Sequence, residues 1–416
     1  MRLKCLGGFG EQGRSALLVE GKSCFLVDYG VKKTVGEGIL GELPLEDFPE
    51  LDFIVVTHAH QDHTAMLPLL VEKGINVPIY ATPPTKEFTI TYCESWHKSY
   101  ESHGLVPPYD KQSIYELEKL FVTKPYFQEF EAGKGTLITF FPSGHLVGSA
   151  IVHIKDEKTI AHFGDINFND AINPEPYLDF DAEIGIINGS YGDKIMPKEL
   201  LEKKFIENVT SGRFNVLIPS AALGRGQVVC LLLLENLSKI DKEIYISKSI
   251  IENTKRVLKY PHYIKPEAIG MLNKLVDSPY FKIIDESKLN DLVEKGAIFI
   301  APDAMLSSGP ALKIFNLLKD KPQNKIILSG FLAPGTLGRK LAEGKVSINA
   351  LLSLSELKVH TDLVENELLI NKTLSNAKLI LIHHGEEPKS TNLANKLREK
   401  FNLDIRSPHF GDAIII

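Results

Sequence analysis

The first half of this chain alternates short apolar runs with amphipathic stretches. Apolar runs closed by glycine or aspartate predict strands over residues 16–20, 23–28, 53–57, 79–82, 127–130, 136–141, 149–154 and 159–163. Helices are expected over 63–73, 86–100 and 111–121, the first closed by the basic, glycine-ended pair Lys73-Gly74. From about residue 195 the alternation becomes regular. Strands are predicted at 216–219, 244–247, 297–301 and 325–329, with helices at 197–210, 225–237, 250–258, 310–318 and 338–341. Strictly alternating strands and helices predict a parallel sheet with helices on its faces, an α/β class. The chain ends with expected strands at 378–382, 403–406 and 413–416 and a helix over 392–400.

A length of 416 residues suits two domains or one large one. No apolar stretch reaches the ~18 residues that suggest a membrane span, and the first residues carry no secretory pattern. Cys5, Cys24, Cys93 and Cys230 form no CxxC pair and read as reduced thiols of a cytoplasmic protein. A net charge of −6 argues against a broadly basic coat for nucleic acid. It leaves open a local site, because metal ions bring their own positive charge.

That qualification matters because of Thr57-His58-Ala59-His60-Gln61-Asp62-His63, directly after the run Phe53-Ile54-Val55-Val56. Three imidazoles and a carboxylate at the end of a strand are costly to bury unpaired. A metal ion satisfies them together, and histidine with aspartate is a ligand set that suits zinc. Further candidates sit at turns after strands: Asp28, His145, Asp165, His360 and His384. His383 competes with His384, since neighbours on a strand face opposite sides.

This ordered series resembles the metallo-β-lactamase superfamily, and within it the β-CASP nucleases. The likeness extends to Gly13-Arg14-Ser15, Val27-Asp28-Tyr29-Gly30, the run Pro219-Ser220-Ala221-Ala222-Leu223-Gly224-Arg225-Gly226-Gln227, and Gly335-Thr336-Leu337-Gly338-Arg339. It covers essentially the whole chain and is nearest in length to short archaeal members without appended RNA-binding KH domains.

The resemblance implies a metallo-β-lactamase αββα sandwich, residues 1–190 and 351–416, with an inserted α/β β-CASP domain of mostly parallel sheet at 191–350. It implies two zinc ions. One would be held by His58, His60, His145 and Asp165, the other by Asp62, His63, the shared Asp165 and His384, whose His-Gly-Glu setting selects it over His383. Asp28 would steady the cluster from behind the ligands. A metal-bridged hydroxide would attack the phosphorus of RNA, and His360 would protonate the leaving 3′-oxygen. Single-stranded RNA is the implied partner, in a cleft between the domains, with a homodimer or an RNA-processing complex as further partners and no membrane. Arg225 and Arg339, each after a glycine at an expected helix start, are weaker candidates for phosphate contact.

One departure stands out. Where the family pattern has an acidic residue that contacts the proton-donating histidine, this chain reads Ile187-Asn188-Gly189-Ser190-Tyr191-Gly192. Asn188 accepts a hydrogen bond without charge, so His360 is expected to be a weaker or differently tuned acid. The pattern is also altered at Gln227-Val228 and Asp303-Ala304-Met305-Leu306. Two alternatives follow: a low-activity or non-catalytic RNA-processing scaffold, which Asn188 favours, and a hydrolase of small esters, which the β-CASP elements disfavour. Tyr92, Trp96 and Tyr100 share helical spacing and read as core.

Overall fold

The structure is a computed structural model, and it describes residues 1–36, 39–44, 46 and 48–416, with the backbone alone at 39 and 40. The chain divides into two compact units. One comprises 1–33, 37–195 and 359–416; the other comprises 34–36 and 196–358.

The first unit is built on two seven-stranded sheets. In one, Arg2–Gly7, Ala16–Glu20 and Cys24–Val27 run antiparallel, and Phe53–Val55, Ile79–Ala81 and Phe121–Thr123 extend the sheet in parallel. In the other, Glu129–Gly133, Thr136–Pro142, Ala150–Lys155 and Thr159–His162 are antiparallel; Ile184–Asn188, Leu379–His383 and Ile405–Arg406 then continue in parallel. Strand alternation explains the layering. Val19, Phe25, Val27 and Val55 of the first sheet share one buried cluster with Phe140, Val152, Ile154 and Ile186 of the second. The opposite face of the second sheet, with Ile151, Ala161, Ile187 and Ile382, packs against Leu369, Ile370, Leu393 and Leu397. Those four lie on the helices Leu363–Thr373 and Lys389–Phe401. The helix Leu363–Thr373 begins with a capping box in which Asp362 and Glu365 satisfy each other's backbone N–H groups.

The second unit holds a six-stranded, fully parallel sheet in the order Phe281–Ile283, Glu243–Ile246, Ala297–Ala301, Val216–Pro219, Lys325–Leu328, Leu351–Leu354. Its core joins Leu217, Phe299 and Ile326 to Ile314, Phe315 and Leu318 of the helix Gly309–Leu318.

Several expectations shift. The helix anticipated over 63–73 is two helices, Gln61–Thr64 and Leu67–Glu72. Pro68 has no N–H and its ring excludes a preceding helical turn, so it starts a helix rather than sitting inside one. The strand anticipated at 127–130 lies at Glu129–Gly133, because Phe127 takes a left-handed backbone, φ 64°. The helix anticipated from 86 begins at Pro83, capped by the Thr82 hydroxyl. The strands Arg2–Gly7, Phe121–Thr123 and Leu351–Leu354 and the helices Pro266–Asp277 and Leu363–Thr373 are not among the expected elements, although Pro266–Asp277 buries Ala268, Leu272 and Leu275 at helical spacing. All four cysteines are free thiols. Among the described residues no helix is long and apolar enough to cross a membrane.

Candidate metal centre

The centre lies in the first unit, at strand ends and the loops that follow them. Strand Phe53–Val55 delivers Thr57 to Asp62, and the short helix Gln61–Thr64 presents Asp62 and His63. The backbone carbonyls of Asp62 and His63 are fixed by the N–H groups of Ser15 and Tyr29, each at 2.8 Å. Gly30 passes so close that a Cβ there would lie 1.9 Å from the Asp62 carbonyl oxygen. His145 sits on a loop tied by Ser149 Oγ, which accepts the N–H groups of His145 and Leu146 at 3.2 and 3.0 Å. A Cβ on Gly144 in that loop would meet Asn167 O at 2.1 Å. Asp165 follows the strand Thr159–His162, and His384, with a left-handed φ of 56°, ends the strand Leu379–His383.

Side-chain donors converge in two groups, His58, His60, His145 and Asp165, and Asp62, His63, Asp165 and His384; within each group the donor atoms lie within 4.8 Å of one another. His60 Nδ1 is 3.2 Å from His58 Nε2 and 3.1 Å from His145 Nε2. The outward nitrogens show which atoms face in. His145 Nδ1 donates to Val359 O at 2.9 Å, so its Nε2 carries only a lone pair. Thr57 Oγ1 donates to Asp28 Oδ2 and therefore accepts from His58 Nδ1, which leaves His58 Nε2 bare as well. A single N–H on His60 Nδ1 could serve only one of these two bare nitrogens fully, whereas a cation among the three rings satisfies them all. The edges of a tetrahedron around zinc with nitrogen ligands are about 3.3 Å, which these separations match.

Asp165 serves both groups through different oxygens. Oδ2 is 3.7 Å from His58 Nε2 and 3.5 Å from His145 Nε2. Oδ1 is 3.7 Å from His63 Nε2 and 3.3 Å from His384 Nδ1. His384 Nδ1 is buried and makes no hydrogen bond, as expected of an atom that awaits a cation.

Behind the ligands, Asp28 is a hub. Its Oδ1 accepts Thr57 N–H at 2.8 Å, and its Oδ2 accepts Thr57 Oγ1 at 2.7 Å and His63 Nδ1 at 2.6 Å. This orients His63 with Nε2 inward, an arrangement typical around metals. The electrostatics follow from burial and these contacts. Burial holds His58 well below the ordinary imidazole range, with the neighbouring histidines adding to it, and takes His60 to about 3. Burial also opposes charge on His63, yet the Asp28 and Asp165 carboxylates push it up to about 9. For Asp62 burial favours the neutral acid, but His63, His384 and His60 outweigh it and hold the carboxyl below its usual range.

His360 belongs to neither group. Its ring stacks on His145 at 5.0 Å, and its Nδ1 is 3.7 Å from Asp165 Oδ2. Asn188 departs from the expectation that it acts on His360 directly. Its Nδ2 donates to Asp165 Oδ1 at 2.8 Å and its Oδ1 accepts Ser190 N–H at 2.9 Å. His383 points away from the ligands, beside Phe9 and His162. Arg225 and Arg339 belong to the second unit and are engaged there. Arg225 donates to Ser329 O, and Arg339 Nε pairs with Glu343 at 2.6 Å.

The sequence pattern missed three contributors. Tyr92, read as core, sets its ring edge-on to His60 at 5.9 Å. Ser15 Oγ is 3.3 Å from His63 Nε2, and Tyr191 accepts Val359 N–H at 3.1 Å. Ser15 and Tyr191 had a signal, since both lie inside the motifs Gly13-Arg14-Ser15 and Gly189-Ser190-Tyr191-Gly192.

Comparison with known proteins agrees with this architecture. Residues 17–168 match a metallo-beta-lactamase superfamily domain and residues 227–341 a Beta-Casp domain. A transcription termination factor FttA of Pyrococcus horikoshii is 31% identical, over 100% of this chain and 71% of that protein. This chain belongs to the metallo-β-lactamase/β-CASP family. Other relatives in the family are a probable RNase MJ4 of Methanocaldococcus jannaschii, 30% identical over 98% of both proteins, and an RNase J-like protein of the same organism, 30% identical over 100% of this chain and 99% of that protein. A crystal structure of a protein of unknown function from Enterococcus faecalis V583 superposes with a TM-score of 0.60 over 100% of this chain and 99% of that one; at 12% identity it shares the fold. The β-CASP members are metallo-hydrolases, and the two donor groups described above could hold metal ions.

Proposed function

We propose that this β-CASP protein is a zinc-dependent ribonuclease that hydrolyses phosphodiester bonds of RNA during RNA processing or decay. The observation that carries the reading is the pair of donor groups sharing Asp165, with His360 beside them and outside both. The names of the relatives, a termination factor and two RNases, point to RNA as the substrate class. His58, His60, His145 and Asp165 would hold one zinc ion, and Asp62, His63, Asp165 and His384 the second. Bound there, the two ions would supply Lewis acidity toward the phosphoryl oxygens and an activated water.

The remaining steps fall to the chain's own side chains. Asp28 and Thr57 hold His63 and His58 in the tautomers that present Nε2. Asp62 and Asp165 bring carboxylate oxygens to the two donor groups. His360 is the proton donor for the leaving 3′-oxygen; an imidazole suits this because its ordinary pKa lies near neutrality. Tyr92, whose hydroxyl burial keeps protonated, borders His60 and offers a hydrogen bond to a phosphate oxygen.

The test is hydrolysis of 5′-labelled single-stranded RNA by zinc-loaded protein beside Asp62→Ala. Cleavage that disappears in the variant supports the nuclease, and the product ladder separates internal from end-directed cutting. A second reading, a weakly active or non-catalytic scaffold, draws on Asn188 in place of the family's acid. It predicts RNA binding without turnover in both proteins.

A further inference from the structure

The exchange of an acid for Asn188 reads at first as a loss. Its surroundings give the amide a positive task. Asn188 ends the strand Ile184–Asn188 in register with His383, and it is fully buried. Three contacts fix it. Its backbone carbonyl accepts Asn366 Nδ2 at 3.1 Å, its Oδ1 accepts Ser190 N–H at 2.9 Å, and its Nδ2 donates to Asp165 Oδ1 at 2.8 Å. The orientation of the amide follows from chemistry. Ser190 N–H is a donor, so the atom facing it is the oxygen, and the NH₂ must face Asp165. A carboxylate in the same place would set an oxygen against the Asp165 oxygen.

The hydrogen bond reaches only one Asp165 oxygen, Oδ1, which faces His63 and His384. Oδ2, which faces His58 and His145, is left to the first group. With one oxygen clamped, the carboxyl plane is set and each oxygen is assigned to its own group. A freely rotating carboxylate could instead turn both oxygens toward one group.

We propose that Asn188 is a positioning residue for the shared ligand, and that its amide is what equips the group Asp62, His63, Asp165 and His384 to hold a divalent ion. The inference rests on the zinc reading above and extends it to unequal dependence of the two ligand groups on one side chain.

The experiment is a zinc titration of the metal-free full chain, followed by native mass spectrometry and competition with a chromophoric chelator. Loss of an outer partner of this kind typically costs about 10–100-fold in metal affinity. Asn188→Ala is expected to weaken one of two bound ions by that factor and leave the other unchanged. In a His384→Ala background, where the second group is already broken, Asn188→Ala should change nothing further. Should Asn188→Ala fail to fold, Asn188→Ser keeps a hydroxyl near the Ser190 amide but is too short to reach Asp165, and it carries the same expectations. Equal weakening of both ions, or two ions held as in the unaltered chain, overturns the clamp while leaving the zinc reading intact. An unaltered chain that binds no zinc overturns both.

Discussion

His145 Nδ1 donates to the carbonyl of Val359 at 2.9 Å, across 214 residues of sequence. The amide of the same Val359 donates to the Tyr191 hydroxyl at 3.1 Å. One residue, Val359, thus fixes the tautomer of a candidate ligand with its carbonyl and, with its N–H, the approach of the neighbouring His360. Removing the Tyr191 hydroxyl leaves that N–H without its partner, and His360 loses its tether. Tyr191→Phe should lower turnover on RNA about tenfold with zinc content unchanged, a modest part of the effect of removing the proton donor itself. Steady-state kinetics with metal analysis on the same samples decide it; a fall in zinc content would assign Tyr191 to the ligands instead.

His360→Asn removes the proposed acid but none of the ligand groups. Turnover should fall about 10²–10⁴-fold with both ions retained. Replacing the leaving 3′-oxygen by sulfur, which needs no proton, should restore much of the lost rate. No rescue would argue that His360 contacts substrate in another capacity.

Asp28 belongs to neither donor group, yet it fixes Thr57 and His63 together. Asp28→Ala is expected to weaken zinc binding about 10–100-fold, with the loss concentrated in the group that contains His63. Chelator competition would show this directly, and equal retention by both proteins would refute it.

Gly30→Ala forces a methyl against the Asp62 carbonyl and the His63 amide. The ligand loop must shift, so Gly30→Ala should bind zinc poorly although its far-ultraviolet dichroism stays that of the unaltered chain. Unchanged zinc affinity would mean that the loop yields without cost.

Asp156 gives a pH prediction away from the centre. Burial opposes its charge, but Thr136 and the N–H groups of Glu157, Lys22 and Ser23 outweigh burial and hold its carboxyl below the usual range. A pKa lowered on folding stabilises above the unfolded value, about 3.9, and that stabilisation is lost as pH falls through the folded value. Thermal unfolding of the chain beside Asp156→Ala should therefore differ most near neutrality, and the gap should shrink below about pH 4. A constant gap across that range would rule out the carboxylate as its source.

The sequence by itself determined much of this protein. The runs at 53–57 and 159–163 end in His58 and Asp165 because strands place loop residues at a sheet's edge, and donor-rich loops need a cation. The regular alternation after 195 likewise determined a parallel sheet, since crossover helices allow little else. What lay beyond it depended on contacts between distant segments. That Asp165 divides its oxygens between two groups, that Val359 steadies His145, and that Asn188 serves Asp165 rather than His360 are relations set by sheet register and packing. Tyr92 shows the same limit, for helical spacing gives the face of a residue but not what that face meets. Arg225 shows its converse: a glycine at a helix start suggested phosphate, but the guanidinium is used by the carbonyl of Ser329, which only the folded chain brings within reach.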